Sequence, residues 1–507
     1  MSTASRPRVY IVGAGPGDPS LISLRGYRCL TRADVVIYDH RVQARLLRWA
    51  PANAERIDVG PSSPKPLEQD AIALLVAEKV REGRTVVRLK WGDPFVFDTS
   101  GKEALLLAQH GIPFEIIPGI PAAIAAPTYA GIPITYPAAG DTLVIIRGAE
   151  TATTEPPDVD WAALAKMDGA IVCYAGPRQL PSIAKALVAH GRPADEAAVL
   201  IRNGTLASQQ TTVSTLGALA AAEDERRTSL LVVGAPADLR EHLRWFDRRP
   251  LFGKRIVVTR SIDQARELVE RIEEAGAEAI EAPLFRIAPP EDATSLVDAA
   301  GAAGTFDWIV FTTATAVQQF MGVLLAGPHD TRALKGVKLC AIGASASDRL
   351  AAYGVKADLA PAELGVTAVA DAMAVTPGAR VLVVRPEHVR GDLAAALEDR
   401  GAKVTDVEAY RTAQPPEAGQ DIYRMLLDGK VDAVTFVSPS TVTQFVNLLG
   451  KEPAVDLLGT TVVAAIGPVT AEAARQLGVT VHVVPDRYDV DGMVEAMIGY
   501  FAEERLR

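Results

Sequence analysis

Residues 9–19 read VYIVGAGPGDP, a run of apolar, β-forming residues that stops at a turn rich in glycine and proline. Similar short runs of Val and Ile alternate downstream with longer amphipathic stretches. This alternation is typical of parallel strands joined by helical crossovers, because strands buried on both faces are apolar at nearly every position. We therefore predict an α/β fold. Its first strands are residues 9–12, 35–38, 86–89, 114–117, 143–146, 170–173, 198–201 and 230–233.

A second series of alternating strands and helices begins after a charged and aromatic segment at residues 241–249. Residues 254–260, KRIVVTR, predict a strand, and residues 264–274 predict a helix that ends at Ala275-Gly276, a typical stop signal. A chain of 507 residues is also too long for a single hydrophobic core. We predict a first domain at residues 1–246, a linker at 247–253 and a second domain at 254–507.

The second half contains an internal repeat. WIVFTTATAV at residues 308–317 is similar to AVTFVSPSTV at 433–442, and LCAIGASAS at 339–347 is similar to VVAAIGPVT at 462–470. Each copy has an apolar strand, a turn rich in hydroxyls or small residues, and the start of a helix, so two similar α/β lobes are predicted. Hydroxyls at such turns are suited to binding carboxylates, although each one alone is better explained as a helix cap. The candidate substrate-binding hydroxyls are Thr312, Thr313, Ser345, Ser438, Ser440 and Thr470.

The composition excludes several classes of protein. The net charge is −10 and no basic block is present, which argues against a nucleic-acid partner. The 3 cysteines are too few and too dispersed for a disulfide framework or a thiolate metal site. No signal-peptide pattern occurs, and no apolar run reaches the ~18–20 residues of a membrane helix. We predict a cytoplasmic protein with no metal site and no membrane segment.

The glycine turn and Asp39, which follows the next strand, imitate a dinucleotide-binding fingerprint. Such a site requires G-x-G-x-x-G, whose backbone N–H groups surround a pyrophosphate. Here the sixth position is Asp18, which would repel that anion, while Pro16 and Pro19 each lack an N–H. A nicotinamide cofactor is therefore disfavoured.

Five segments of the first half carry a more specific signal. They are VGAGPGDP (12–19), ADVVIYD (33–39), VVRLKWGDPFVF (86–97), GIPFEIIPGI (111–120) and YAGIPIT (129–135). In this order they resemble uroporphyrinogen-III C-methyltransferase, of the tetrapyrrole methylase family, over about residues 8–246. The resemblance implies a two-lobe α/β fold, S-adenosylmethionine bound between the lobes, and a homodimer. It also implies methyl transfer to two ring carbons of uroporphyrinogen III, giving precorrin-2.

Site residues follow by matching each position to the family. Asp39 matches the carboxylate that accepts a proton, although a turn or cap explains an Asp there equally well. A glycine allows close backbone approach and a carboxylate can accept hydrogen bonds, but Gly92-Asp93-Pro94 alone is also an ordinary turn. The positions that surround the cofactor in the family are Pro16, Trp91, Gly92, Asp93, Val96, Pro121, Ala122, Ala175 and Gly204.

The first half also departs from the family. Trp91 stands where the family has Gly, and Pro61 stands where it has a Lys assigned as proton donor. The family's GRGGEE is DTSGKE at residues 98–103, and its His-Arg pair is Tyr136-Pro137. Two interpretations stay open: an active methyltransferase with an altered pocket, and a silent domain that scaffolds or regulates its neighbour.

The second half has its own set of ordered segments. They are RIVVTR (255–260), FDWIVFTTATAV (306–317), residues 380–412, FVSPSTV (436–442) and AAIGPVTAEAARQLG (464–478). Together they resemble uroporphyrinogen-III synthase over about residues 254–497. The resemblance implies two α/β lobes, one of about residues 254–286 with 413–507 and one of about 287–412. It implies the cyclisation of hydroxymethylbilane with inversion of the last ring, controlled mainly by substrate conformation and needing no cofactor.

Tyr410 matches the functional Tyr of the synthase family, with buried packing as the alternative. Thr470 matches a family hydroxyl, whose counterpart in the first copy is Ala346. The product of such a synthase is the substrate of such a methyltransferase. The resemblances therefore predict a bifunctional enzyme of tetrapyrrole synthesis serving sirohaem or cobalamin. The alternative is an active synthase that carries a silent methyltransferase-like domain.

Overall fold

The computed structural model describes residues 9–506 apart from residues 40, 61–66, 138–139, 150–152, 177, 223–227, 260–261, 283–285, 362–364, 388–391 and 414–417. The chain divides into two compact units. One unit comprises Met1–Ile256, Glu270–Ala279 and Val494–Arg507, and the other comprises Val257–Val269 and Ile280–Met493. The domain limits drawn from the sequence stay a prediction.

The first sheet begins with the VYIVG strand. Its strands are β1 (Val9–Gly13), β2 (Val35–Tyr38), β3 (Glu55–Asp58), β4 (Val86–Lys90) and β5 (Phe114–Ile117), with helices α1 (Leu24–Leu30), α2 (Ala44–Leu47), α3 (Gln69–Arg81), α4 (Ser100–Gln109) and α5 (Ala122–Tyr129). The strand order is β3-β2-β4-β1-β5, and the paired strands are parallel. Every residue of β4 is buried, including Arg88 and Lys90.

The second sheet follows in the same unit. Its elements are β6 (Leu143–Arg147), α6 (Trp161–Ala165), β7 (Ala170–Ala175), α7 (Leu180–Ala189), β8 (Ala197–Arg202), β9 (Gln210–Thr215), α8 (Leu216–Ala221), β10 (Ser229–Val233) and α9 (Arg240–Leu243). The order is β6-β7-β10-β8-β9.

The sequence predicts parallel pairing throughout the first half, and this prediction is wrong for the second sheet. Only β6 and β7 are parallel, while β10 runs antiparallel to β7 and β8, and β9 runs antiparallel to β8. The segment between β8 and β9, residues 203–209, is too short for a helical crossover, so these strands form a hairpin-like pair. β9 reads QTTVST and is half exposed, which gives no run of buried Val and Ile.

The second half adds two more sheets. Its strands are β11 (Arg255–Val258), β12 (Glu278–Glu281), β13 (Arg286–Ala288), β14 (Trp308–Phe311), β15 (Lys338–Ala341), β16 (Arg380–Pro386), β17 (Lys403–Ala413), β18 (Ala433–Phe436) and β19 (Val462–Ala465). They form sheets of order β12-β11-β18-β19 and β13-β17-β16-β14-β15. The segments near residues 286 and 412 pair with each other, because β13 runs antiparallel to the end of β17.

Helices flank these two sheets. They are α10 (Ile262–Glu274), α11 (Thr294–Gly301), α12 (Ala314–Ala326), α13 (Ala344–Ala352), α14 (Val366–Met373), α15 (Asp392–Glu398), α16 (Ala418–Leu427), α17 (Pro439–Leu449), α18 (Lys451–Gly459), α19 (Pro468–Gln476) and α20 (Val490–Leu506). The α/β prediction is thereby confirmed in both halves. Among the helices of the described residues, none combines the length and apolar character that crossing a membrane requires.

The internal repeat is confirmed at the level of elements and of packing. β14 pairs with β15 in parallel and leads into α12, just as β18 pairs with β19 and leads into α17. In the first copy the rings of Phe311 and Phe320 meet edge to face with centroids 5.4 Å apart. In the second copy Phe436 and Phe445 do the same at 5.4 Å. The two copies therefore bury the same aromatic pair between strand and helix.

Candidate active sites

A cavity of about 530 Å³ lies in the first unit at the carboxyl ends of the first sheet. The loops that follow β2, β4 and β5 form one wall, and the ends of β6 and β7 form the other. Ligands bind at this edge of open α/β sheets, because the loops that connect parallel strands converge there. The volume is within the usual range for small-molecule sites, roughly 300–1,000 Å³.

Three glycines bring the strand ends close together at the cavity floor. Gly92, with a positive φ of +67°, donates its N–H to the carbonyl of Gly15 over 2.8 Å. A Cβ on Gly119 would lie 2.1 Å from the carbonyl oxygen of Gly92, so the backbones leave no room for a side chain. Asp93 holds the turn, since its Oδ2 accepts the N–H of Gly119 over 3.0 Å and its Oδ1 accepts that of Phe95 over 2.8 Å. The carboxylate of Asp93 thus shapes the loop.

A buried charge network lies beside this floor. Arg88 Nη2 donates to Asp39 Oδ1 over 2.7 Å, and Arg88 Nε donates to Glu103 Oε2 over 3.0 Å. Lys90 Nζ lies 3.0 Å from Glu103 Oε1, 3.0 Å from Asp98 Oδ1 and 3.4 Å from Asp39 Oδ2. The side chains of Arg88, Lys90 and Glu103 are at most 2% exposed. Pairing of this kind is what allows such charges to be buried.

The network sets the charge state of Asp39. Burial alone would raise the pKa of its carboxyl group, but the neighbouring charges of Arg88 and Lys90 outweigh burial and hold that pKa below its usual value. Burial alone would likewise lower the pKa of Arg88, and the charges of Glu103 and Asp39 reverse this and raise it. Asp39 is therefore an anion near neutral pH, with its side chain 23% exposed at the cavity.

Three aromatic residues also line the cavity: Trp91, Phe97 and Tyr174. The rings of Trp91 and Tyr174 meet edge to face at 6.4 Å, and those of Phe97 and Tyr174 at 5.9 Å. The hydroxyl of Tyr174 accepts the N–H of Ala123 over 2.9 Å, at the first turn of α5. Phe97 has φ of +57°, a conformation that bulky residues rarely adopt and that often marks a functional loop. Trp91 forms part of the wall of the cavity and does not fill it.

The structure brings some of the expected cofactor residues together. Trp91, Gly92, Asp93, Val96 and Pro121 line the cavity, as does Asp39. The other four do not line it. Ala122 and Ala175 are buried next to lining residues, whereas Pro16 and Gly204 lie in two other loops that contact each other through a hydrogen bond from the Asp18 N–H to Thr205 Oγ1 of 3.0 Å. The roles assigned to all of these residues stay predictions.

Of the departures at Tyr136-Pro137 and Pro61, the structure describes the first. Tyr136 is 43% exposed and lies, with Pro137, away from the cavity lining. Pro61 lies outside the described residues. Its neighbour Gly60 lines the cavity.

Several lining and supporting residues were not expected from the motifs. Arg41, Arg147 and Tyr174 line the cavity. Arg88 donates to Asp39 and is itself paired with Glu103. A signal for the charge network was present, because Arg88 and Lys90 interrupt an otherwise apolar strand that ends at the glycine turn. Buried cations require anionic partners, and DTSGKE supplies two of them, Asp98 and Glu103.

In the second unit, the structure brings Tyr410 and Thr313 together. Tyr410, on β17, is 7% exposed, and its hydroxyl lies 3.3 Å from Thr313 Oγ1. Thr313 also caps α12, accepting the N–H of Ala316 over 3.0 Å. The adjacent Thr312 donates to the carbonyl of Val384 over 3.3 Å. Thr313 is therefore a helix cap that also lies beside the candidate catalytic Tyr, and its role in substrate binding stays a prediction.

The remaining hydroxyls lie at other helix starts. Ser438 forms a capping box with Thr441 at α17, and its Oγ lies 2.9 Å from that of Ser440. Ser345 is exposed in the first turn of α13, and Thr470 is buried in the first turn of α19. Among the described residues, no hydrogen bond joins these side chains to Tyr410. They are therefore separate from the pair of Tyr410 and Thr313.

The fold and the cavity define an α/β protein with a small-molecule site at the carboxyl ends of its strands. Comparison with known proteins gives the family of each half. Residues 8–220 match the Tetrapyrrole (Corrin/Porphyrin) Methylases, and residues 266–495 match Uroporphyrinogen-III synthase HemD.

One relative covers nearly the whole chain, and others cover about half of it. The porphyrin biosynthesis protein HemD of Ruminiclostridium josui is 32% identical over 496 residues, which are 97% of either chain. The S-adenosyl-L-methionine-dependent uroporphyrinogen III methyltransferase of Methanosarcina barkeri is 40% identical over 240 residues, 46% of this chain and 94% of that one. A crystal structure of uroporphyrin-III C-methyl transferase from Thermus thermophilus, complexed with S-adenyl homocysteine, is 31% identical with a TM-score of 0.38 and covers 45% of this chain and 92% of that chain.

This chain belongs to the family in which a tetrapyrrole methylase is fused to a uroporphyrinogen-III synthase. Both components are enzymes of tetrapyrrole biosynthesis.

Proposed function

We propose that the chain is a bifunctional enzyme that makes uroporphyrinogen III and then methylates it. The synthase half cyclises hydroxymethylbilane with inversion of the last ring, and the methylase half uses S-adenosylmethionine to convert the product toward precorrin-2. The observation that carries the proposal is the joining of both families in one chain, since the product of one is the substrate of the other.

The residues of the first cavity fit S-adenosylmethionine. The cavity has the volume of a small-molecule site, and Gly92 presents backbone without a side chain at its wall. Trp91, Val96 and Pro121 offer apolar surface, and the walls come from both sheets of the unit. When bound, the cofactor supplies an electrophilic methyl group on sulfur. We propose that Trp91, Gly92, Val96 and Pro121 hold it, with Asp93 keeping the turn in shape.

Asp39 is suited to accept the proton that methylation releases. Adding a methyl group to a pyrrole carbon leaves the ring cationic, and a C–H next to a cation is acidic enough for a carboxylate to remove its proton. Arg88 and Lys90 keep Asp39 ionised and fix its orientation. The same cations lower its basicity, so position is what makes this weak base effective.

In the synthase half we propose that Tyr410 donates a hydrogen bond to the hydroxyl that leaves hydroxymethylbilane. Its phenol lies at the start of α12, where Thr313 fixes its position and helix N–H groups favour anions. The other hydroxyl-bearing turns, at Ser345, Ser438, Ser440 and Thr470, are proposed to bind substrate carboxylates. No cofactor is needed, because holding the flexible chain in one conformer is the main requirement.

A second candidate is an active synthase with a silent methylase domain, and the bulk of Trp91 in the cavity wall favours it. Calorimetric titration of the full chain with S-adenosylhomocysteine separates the two. Binding of one equivalent that is lost in a Gly92→Val variant supports a working cofactor site, whereas no binding by the native chain supports the silent domain. A homodimer and a cytoplasmic location remain part of the proposal, and the first is testable by analytical ultracentrifugation.

A further inference from the structure

Arg41 is an exposed cation at the cavity with unused hydrogen-bond donors. It lies in the loop after β2, close to Asp39, and lines the cavity. Its guanidinium carbon is 5.7 Å from the centroid of the Trp91 indole, within the distance for a cation–π contact. Within the part of the chain that the structure describes, Arg41 forms no ion pair and donates no hydrogen bond.

The other cations of the cavity are already engaged. Lys90 is paired with three carboxylates, Asp39, Asp98 and Glu103. Arg147 also has an interaction partner. Since Asp39, Asp93 and Asp98 all line the cavity, an anionic ligand needs a cation that these carboxylates have not neutralised. Arg41 is the lining residue that meets this requirement.

Trp91 gives this arginine a fixed support. Its indole lies edge to face with Tyr174, whose hydroxyl is itself held by the N–H of Ala123. A cation–π contact holds a guanidinium without a carboxylate partner, so its N–H groups stay available to a ligand. A glycine at position 91 would leave Arg41 without this support.

We propose that Arg41, held by Trp91, binds a carboxylate of the tetrapyrrole and is a specificity-determining residue of the methylase site. This inference rests on the proposed function. The proposed contact is a pair of hydrogen bonds between a guanidinium and a carboxylate. The cofactor also has a carboxylate, so it is a second possible ligand for Arg41. We assign Arg41 to the tetrapyrrole, because uroporphyrinogen III carries carboxylates all around its rim, whereas the single carboxylate of the cofactor is accompanied by an ammonium group.

The test compares Arg41→Gln with Arg32→Gln in the full chain. Arg32 is an exposed arginine at the opposite end of β2 and serves as the matched control. We expect Arg41→Gln to raise the KM for uroporphyrinogen III about tenfold, with kcat and the affinity for S-adenosylhomocysteine unchanged. Arg41→Lys should recover part of the loss, and Trp91→Gly should reproduce part of it. Arg32→Gln should behave as the native chain.

Two results would overturn the inference: an unchanged KM in Arg41→Gln, or a loss of affinity for S-adenosylhomocysteine in place of the KM effect. The second result would assign Arg41 to the cofactor. If the native chain transfers no methyl group, the proposed function fails for this half, and the inference is tested by binding alone. Fluorescence titration with uroporphyrin III should then show about tenfold weaker binding to Arg41→Gln than to Arg32→Gln, and equal binding would overturn it.

Discussion

Glu103 is a fully buried member of the charge network and accepts from both Arg88 and Lys90. We expect Glu103→Gln to lower the free energy of unfolding of the first unit by about 3 kcal/mol, since removing one partner leaves a buried charge without compensation. Urea unfolding followed by tryptophan fluorescence measures this, because Trp49, Trp91, Trp161 and Trp245 lie within Met1–Ile256.

Glu78→Gln is the control for this change, since Glu78 is exposed on α3. It should change the free energy of unfolding by no more than a surface substitution does, within about 0.5 kcal/mol. Equal midpoints for the two variants would mean that the network contributes little.

The ion pair of Asp39 predicts a definite response to pH. A carboxyl group whose pKa is lower in the folded state stabilises that state fully above its unfolded pKa, which is about 4 for Asp. Its contribution is lost as the pH falls through the lower, folded pKa. The stability difference between the native chain and Asp39→Asn should therefore be constant from pH 7 to about pH 5 and shrink below about pH 4. A difference that already disappears near pH 6 would contradict a lowered pKa.

Tyr410 is expected to act through its hydroxyl. Tyr410→Phe keeps the buried ring and removes the oxygen that faces Thr313, so the rate of uroporphyrinogen III formation should fall at least tenfold with little change in melting temperature. Tyr353→Phe, in a ring that packs against the same core, is the control and should keep the native rate. An unaffected rate in Tyr410→Phe would leave packing as the role of this residue.

Matching motifs to the family located some residues of the site correctly and missed others. Asp39, Trp91, Gly92, Asp93, Val96 and Pro121 do share one cavity. The two cations in an apolar strand indicated buried anions, but the pairing of Arg88 with Glu103 depends on how α4 packs beside β4. The carboxylate of Asp93, expected to contact the cofactor, binds backbone N–H groups, and only the turn geometry reveals this.

At the scale of elements, the close approach of strand ends at Gly119 has a measurable consequence. We expect Gly119→Ala to destabilise the first unit by several kcal/mol and to weaken binding of S-adenosylhomocysteine, because a Cβ 2.1 Å from the carbonyl of Gly92 forces the β4 turn to move. Urea unfolding and calorimetry check both effects.

The control for this variant is Gly101→Ala on α4, where a Cβ would meet no atom within 4 Å. Alanine should stabilise that helix by up to about 1 kcal/mol and leave binding unchanged. Similar losses of stability and of binding in both variants would show that the close contact at Gly119 does not cause them.

The repeat of strand, turn and helix was predictable, since buried parallel strands read as apolar runs and both copies keep the same order. Strands β9 and β13 were not predictable in this way. β9 is half exposed and polar, and β13 is only Arg286–Ala288, so neither has the apolar run that marks a buried strand. The mixed pairing of the second sheet follows from connection lengths, which sequence patterns define poorly.

For the whole molecule, the two activities should be separable by single substitutions. Tyr410→Phe should slow the synthase step at least tenfold and leave methylation intact. Asp39→Asn should slow methylation at least tenfold and leave synthesis of the type III isomer intact, because each residue lies in a different compact unit. Assays of each variant with hydroxymethylbilane and, separately, with uroporphyrinogen III measure the rate of each step.

The measurement that tests the bifunctional proposal most directly is an assay of the full chain with hydroxymethylbilane under reducing conditions, with and without S-adenosylmethionine. We expect uroporphyrinogen III alone without the methyl donor, and dimethylated product with it. The type I isomer alone, which forms without enzyme, would contradict the synthase assignment. Uroporphyrinogen III that stays unmethylated in the presence of the donor would contradict the methylase assignment.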